Sequence, residues 1–128
     1  MPTSSASILG FQHVNIRIPA SAEAQGRAFY LEFLGLREIE KPASLSERGG
    51  FWAAAGQSVL HVSVESGVDH AATRAHVAYE VAGLAEWDRR LSAIRINVDR
   101  AQPKIPGWNR LQFRDPFGNL IEMMELEA

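Results

Sequence analysis

The spacing of polar and apolar residues changes period along the chain, and each change marks an element. From Phe11 to Ile18 the two kinds alternate: Val14, Ile16 and Ile18 fall on one side, His13, Asn15 and Arg17 on the other. A period of two predicts a strand with one buried and one polar face. Pro19 ends it. Ser21 suits a helix N-cap and Glu23 a first helical turn, so Ala22 to Leu34 reads as a helix with Phe29, Tyr30, Phe33 and Leu34 as its heavy apolar side. Gly35 is its stop. A short strand over Leu36 to Ile39 and a loop over Pro42 to Gly50 follow. Two strands, Phe51 to Ala55 and Ser58 to Glu65, then meet across Gly56-Gln57.

Beyond a polar connector, Ser66 to Thr73, the same order returns. Ala75 to Val81 alternates, with His76, Ala78 and Glu80 set against Val77, Tyr79 and Val81. Leu84, Trp87, Leu91 and Ile94 share one face of a helix over Leu84 to Ile94. A short strand is expected over Arg95 to Arg100, a loop over Gln102 to Gly107, and a strand over Trp108 to Arg114. Asp115 to Asn119 is a turn into the last strand, Leu120 to Leu126. An element order that recurs points to duplication. The expectation is one α+β domain over residues 1–128, built from two βαβββ halves at about 9–66 and 74–127. A ferredoxin-like domain also uses βαβ units, but it leaves the second hairpin of each half unexplained.

The polar residues that break the pattern fall at matched places in the repeat. His13 and His76 open the first strand of each half, while His61 and Glu122 lie in the last strand of each. A two-fold arrangement of the halves would gather such positions around one axis. The match has one flaw: His61 is five residues past Gly56 and Glu122 four past Gly118, which calls for an extra residue or a bulge in one hairpin. Imidazole nitrogens with one carboxylate suit a borderline divalent metal and leave coordination positions open for substrate. A lone histidine on a half-buried strand is more often a hydrogen-bonded structural residue, and it is the repetition that favours ligation. His70, in the connector, reads as a solvated loop residue. Arg17, Gln112, Arg110 and Arg114 share the cavity-facing parity of the candidate ligands. Trp52 and Trp108 occupy matching strands and read slightly better as packing residues than as a substrate wall. Asp115 and Asn119 read as turn-shaping residues.

Composition narrows the chemistry. The chain has no cysteine, so disulfides, thiolate metal sites and cysteine nucleophiles are out. Its 13 basic residues are dispersed in sequence and net charge is −2, which argues against nucleic acid or an anionic membrane as partner. No apolar run reaches membrane-spanning length and no signal-peptide pattern opens the chain, so the default location is the cytoplasm.

Four stretches together resemble the vicinal oxygen chelate superfamily, which includes glyoxalase I, extradiol dioxygenases, fosfomycin resistance proteins and bleomycin resistance proteins. They are His13-Val14-Asn15-Ile16; Phe29-Tyr30 with Phe33-Leu34-Gly35-Leu36; His76-Val77-Ala78-Tyr79; and Asp115-Pro116-Phe117-Gly118-Asn119-Leu120-Ile121-Glu122. The last is the most specific, and the likeness runs from about Phe11 to Leu126. The resemblance implies paired βαβββ modules forming a half-open, U-shaped barrel. It implies a divalent ion (Fe, Ni, Zn, Mn or Co) held by His13, His76 and Glu122, with His61 where glyoxalase I-like members place their remaining ligand. It also implies Glu122 or His61 as the group that moves protons. The expected substrate is a small molecule with neighbouring oxygens, turned over by a lyase, an isomerase or a ring-cleaving enzyme. The expected assembly is a homodimer, and some members share the site between chains. The alternative is a metal-free protein that binds a small molecule or drug, as bleomycin-resistance relatives do.

Overall fold

The computed structural model describes residues 5–128. The first half forms a four-stranded sheet from β1 (Val14–Ile18), β2 (Arg37–Ile39), β3 (Phe51–Ala55) and β4 (Ser58–Val64), in the order β1-β4-β3-β2. The second half forms a three-stranded sheet from β5 (His76–Glu80), β6 (Trp108–Arg114) and β7 (Leu120–Leu126), in the order β5-β7-β6. In each half the first strand runs parallel to the last, and the rest pair antiparallel. The fold is thus α+β with two small sheets and no closed barrel. No helix among the described residues is long and apolar enough to cross a membrane.

Each half has one helical crossover. The first enters through a 3-10 turn, Ala20–Ala22, continues as α1 (Glu23–Arg27), and widens into a π turn, Ala28–Phe33. Ser21 makes no cap there; the turn closes through the Ala22 amide on the Pro19 carbonyl. Glu23 has a more specific task than favouring a helix start, since its Oε1 accepts the Gly50 amide at 2.8 Å and ties the helix to the entry of β3. Gly50 has φ 80°, and a Cβ there would collide with the Val62 carbonyl, so only glycine fits. The second crossover, α2 (Leu84–Ala93), buries Leu91 as its spacing predicts. Both crossovers and both sheets share one core, with Ile18, Tyr30, Phe51, Leu91, Leu111 and Ile121 almost wholly buried. Side chains of this size contribute about 1.5–3 kcal/mol each on burial.

Two expectations need correction here. The strand expected over Arg95 to Arg100 is reduced to a single bridge between Asp99 and Gln112. Arg95 adopts φ 64°, and the Asp99 carboxylate bonds the Ala101 amide and the Gln102 side chain, which turns the chain away from the sheet. The loop at Pro42 to Gly50 contains a 3-10 helix, Ala43–Arg48. Of the extra residue or bulge expected in one hairpin, the structure has the former: β3 and β4 join through the two residues between Ala55 and Ser58, whereas β6 and β7 join through the five between Arg114 and Leu120. The two strands keep an unbroken register, and the turns absorb the offset.

The first strand is shorter than its alternation suggests. Residues 5–13 run without a strand partner, and Ile8, Leu9 and Phe11 are 94%, 97% and 100% exposed. β1 and β5 each pair on one side only, so each sheet presents an open edge there.

Candidate metal centre

Strand parity places the candidates on the outward faces of the sheets. In the first half Asn15 and Trp52 both lie opposite His61 in the register, while Val14, Ile16, Leu60 and Val62 turn to the core side. The His61 ring is sandwiched. It stacks on His13 at 3.9 Å between ring centres, and on Trp52 at 3.8 Å with the planes only 2° apart. Trp52 therefore belongs to the histidine cleft and is not a packing residue of the core. Burial holds His61 below the ordinary histidine range, and the neighbouring His13 charge adds to the effect. His61 is thus a neutral imidazole with a free lone pair near neutral pH, the form that ligates metals or accepts protons.

In the second half Ala78 and Gln112 flank Glu122, while Tyr79, Ile121 and Met123 turn to the core side. Glu122 is buried at 3% exposure. His76 Nε2 lies 3.1 Å from Glu122 Oε1, and Arg110 Nη1 donates to Glu122 Oε2 at 2.7 Å. The other ring nitrogen of His76 lies 3.0 Å from the Arg74 carbonyl oxygen. A carbonyl only accepts, so Nδ1 donates to it, and Nε2 is the nitrogen turned toward Glu122. A ring nitrogen and a carboxylate oxygen at this distance share a cation between them, either a proton or a metal ion.

The spacing fits an ion. Two neighbouring ligands at about 2.1 Å from one octahedral centre lie roughly 3.0 Å apart. The Arg74 carbonyl is the kind of outer partner that orients a ligating histidine. Two ligands fall short of a complete site. Among the described residues no group of three or more His, Asp or Glu lies together in a way that could hold a metal. The chain brings His13 to His61 and His76 to Glu122, but His13 and His61 line a cleft of about 660 Å³ and His76 one of about 930 Å³, with no residue in common, and Glu122 lies buried behind His76.

The second cleft also holds Arg110, Gln112 and Arg114, and the first holds Arg17, as their parity predicts. The pairing of Arg110 with Glu122 was not foreseen, although Met124 opposite Arg110 and Gln112 opposite Glu122 put the two on one face. Arg74 and Arg95 were also missed. Arg74 stands two residues before His76, and Arg95 follows a helix end, where composition alone carries no signal.

Residues 10–123 match the Glyoxalase/Bleomycin resistance protein/Dioxygenase superfamily, and the chain belongs to that family. A structure described as a glyoxalase family protein from Bacillus anthracis is 38% identical, with a TM-score of 0.83 over 97% of this chain and 100% of that one. The fosfomycin resistance protein FosX from Listeria monocytogenes, complexed with Mn(II) and sulfate, has a TM-score of 0.75 at 15% identity over 95% of this chain and 94% of that one. A variant of FosX with Mn(II) and 1S,2S-dihydroxypropylphosphonic acid has a TM-score of 0.71 at 17% identity, over 91% and 90%. No curated protein matches the chain.

Proposed function

We propose that this chain is a metal-dependent enzyme of its superfamily, acting on a small substrate with neighbouring oxygens by a lyase, isomerase or ring-cleaving reaction. The observation that carries the reading is His76 Nε2 set 3.1 Å from the buried Glu122 carboxylate. That pair would hold one side of a divalent ion. The ion, when bound, would polarise vicinal oxygens of the substrate as a Lewis acid. His61, neutral and shielded between two rings, is suited to accept a proton from the substrate. Trp52 and His13 fix its ring orientation.

The remaining ligand, His13, comes in this reading from a second copy of the chain, with His61 beside it. Two features support that. His13 and His61 line one cleft of the chain and His76 another. His13 also sits at the end of an exposed apolar stretch, with Ile8, Leu9 and Phe11 uncovered and the edges of β1 and β5 open. Exposed apolar residues clustered like this mark contact surfaces. A homodimer that covers them would bring His13 of one copy to His76 and Glu122 of the other.

The alternative, a metal-free binding protein, has one observation in its favour: Arg110 already compensates the charge of Glu122. Metal content of wild type beside Glu122→Ala separates the two. The enzyme reading expects about one divalent ion per chain, lost in the variant. Metal-free protein in both cases, even after reconstitution with Mn(II), overturns it.

A further inference from the structure

The charges of this acidic chain are not spread evenly around the histidine clefts. Seven of its 13 Lys and Arg residues line them. Arg74, Arg95, Arg110 and Arg114 lie in the cleft of His76, and Arg17, Lys41 and Arg48 in the cleft of His13 and His61. Of the 15 acidic residues only Asp99 and Asp115 do so, both in the cleft of His76. Asp115 is committed to Tyr30, Asn119 and its own turn, and Asp99 to the Ala101 amide and Gln102.

The cations differ in what they already bind. Arg110 is paired with Glu122, and Arg114 donates to the carbonyls of His70, Thr73 and Gly118. Arg74 and Arg95 have no side-chain partner among the described residues. Arg95 is singular for a second reason. The Arg95 amide bonds the Ser92 carbonyl and the Ile96 amide the Leu91 carbonyl, which closes the end of α2 in the geometry that usually takes glycine. Arg95 is the one non-glycine residue with positive φ among the described residues, at 64°. A side chain in the left-handed region costs conformational energy that glycine avoids. Strain retained at a site is a pointer to function. Here it keeps an unpaired guanidinium in the cleft of His76.

We propose that the substrate is a small oxyanion and that Arg95, assisted by Arg74, receives its carboxylate or phosphate-type end in the cleft beside His76. The inference rests on the proposed metal site for where the reacting oxygens lie, but the anion subsite is a property of these arginines alone. A guanidinium offers paired donors that match either head group.

The test uses glycolate, its neutral amide glycolamide, and inorganic phosphate, titrated calorimetrically into wild type and Arg95→Gly. Glycolate and glycolamide carry the same vicinal oxygens and differ in charge. Glycolate should bind wild type roughly tenfold or more tighter than glycolamide, the scale of one charge-assisted contact. Arg95→Gly should narrow that difference, the bound ion keeping its own preference for the carboxylate, while its melting temperature stays level or rises. Phosphate, titrated into metal-free protein, should lose a similar factor in the variant, and the tighter anion identifies the head group. Metal content is measured in parallel. Metal-loaded protein that binds glycolate and glycolamide equally overturns the anion subsite and leaves the metal reading intact. Protein that takes up no metal, yet binds phosphate in an Arg95-dependent way, supports the subsite and overturns the metal reading. Anion binding indifferent to Arg95→Gly also overturns the subsite.

Discussion

Tyr30 donates its buried hydroxyl to Asp115 Oδ2 at 2.5 Å, joining the first crossover to a turn 85 residues further along the chain. Asp115 Oδ1 accepts the amides of Phe117 and Asn119, and the Asn119 side chain donates to both Asp115 Oδ2 and the Arg17 carbonyl. The turn that starts β7, and so sets the height of Glu122, is therefore fastened to the helix and to β1 of the other half. Tyr30→Phe should cost about 1–2 kcal/mol, because Asp115 Oδ2 keeps Asn119 as a partner. Urea denaturation measures it. An unchanged midpoint would mean that the bond adds nothing to the joint.

The Arg110–Glu122 pair leaves only 14% and 5% of the two side chains exposed. Removing one partner of a buried pair strands the other charge, so Arg110→Ala should cost about 3 kcal/mol. A divalent ion on Glu122 offsets that charge. Thermal melts with and without Mn(II) should show a larger metal-induced rise in the variant than in wild type. Equal rises would separate Arg110 from the metal site.

Metal and proton compete for the gap between His76 Nε2 and Glu122 Oε1. Mn(II) binding should therefore release a proton and weaken as pH falls. Calorimetry at one pH in two buffers of different ionisation enthalpy reads the proton directly. Identical heats would place the ion elsewhere.

His61 is held below its ordinary range, first by burial and then by His13. The unfolded chain takes up a proton near pH 6.5, while the folded chain resists it. The stability that His61 lends is thus complete above about pH 6.5 and declines as the pH falls through the lower folded value. Protonation beside the stacked Trp52 should also change its fluorescence. A fluorescence titration should show a midpoint below that of free histidine, and His61→Gln should abolish it. A transition surviving in the variant would assign it to another group.

The residue pattern made much of this architecture legible. Alternation at Ala75 to Val81 and at Trp108 to Arg114 predicts β5 and β6 to within a residue, because one face of each lies on the core and the other is polar. The same alternation sorts His76, Glu122 and Arg110 onto one face. Arg95 to Arg100 escaped because its apolar residues suit a strand, while the left-handed turn at Arg95 is a tertiary choice. Local pattern is equally silent on which cleft each histidine enters. His13 lies just before β1 and His76 opens β5, yet the chain turns them into different clefts, and only the packing of the two sheets decides that.

The central claim, a metal site completed by two copies, is tested most directly by mixing variants. His13→Ala and Glu122→Ala are each purified, combined in equal amounts, dissociated and reassociated, and assayed for bound Mn(II). Each alone should hold little metal. In a mixed dimer one site gathers both lesions and the other is intact, so the mixture should regain metal on about half of its heterodimers' sites. If the mixture binds no more than the separate variants, the ligands of each site come from one chain and the shared-site account is wrong.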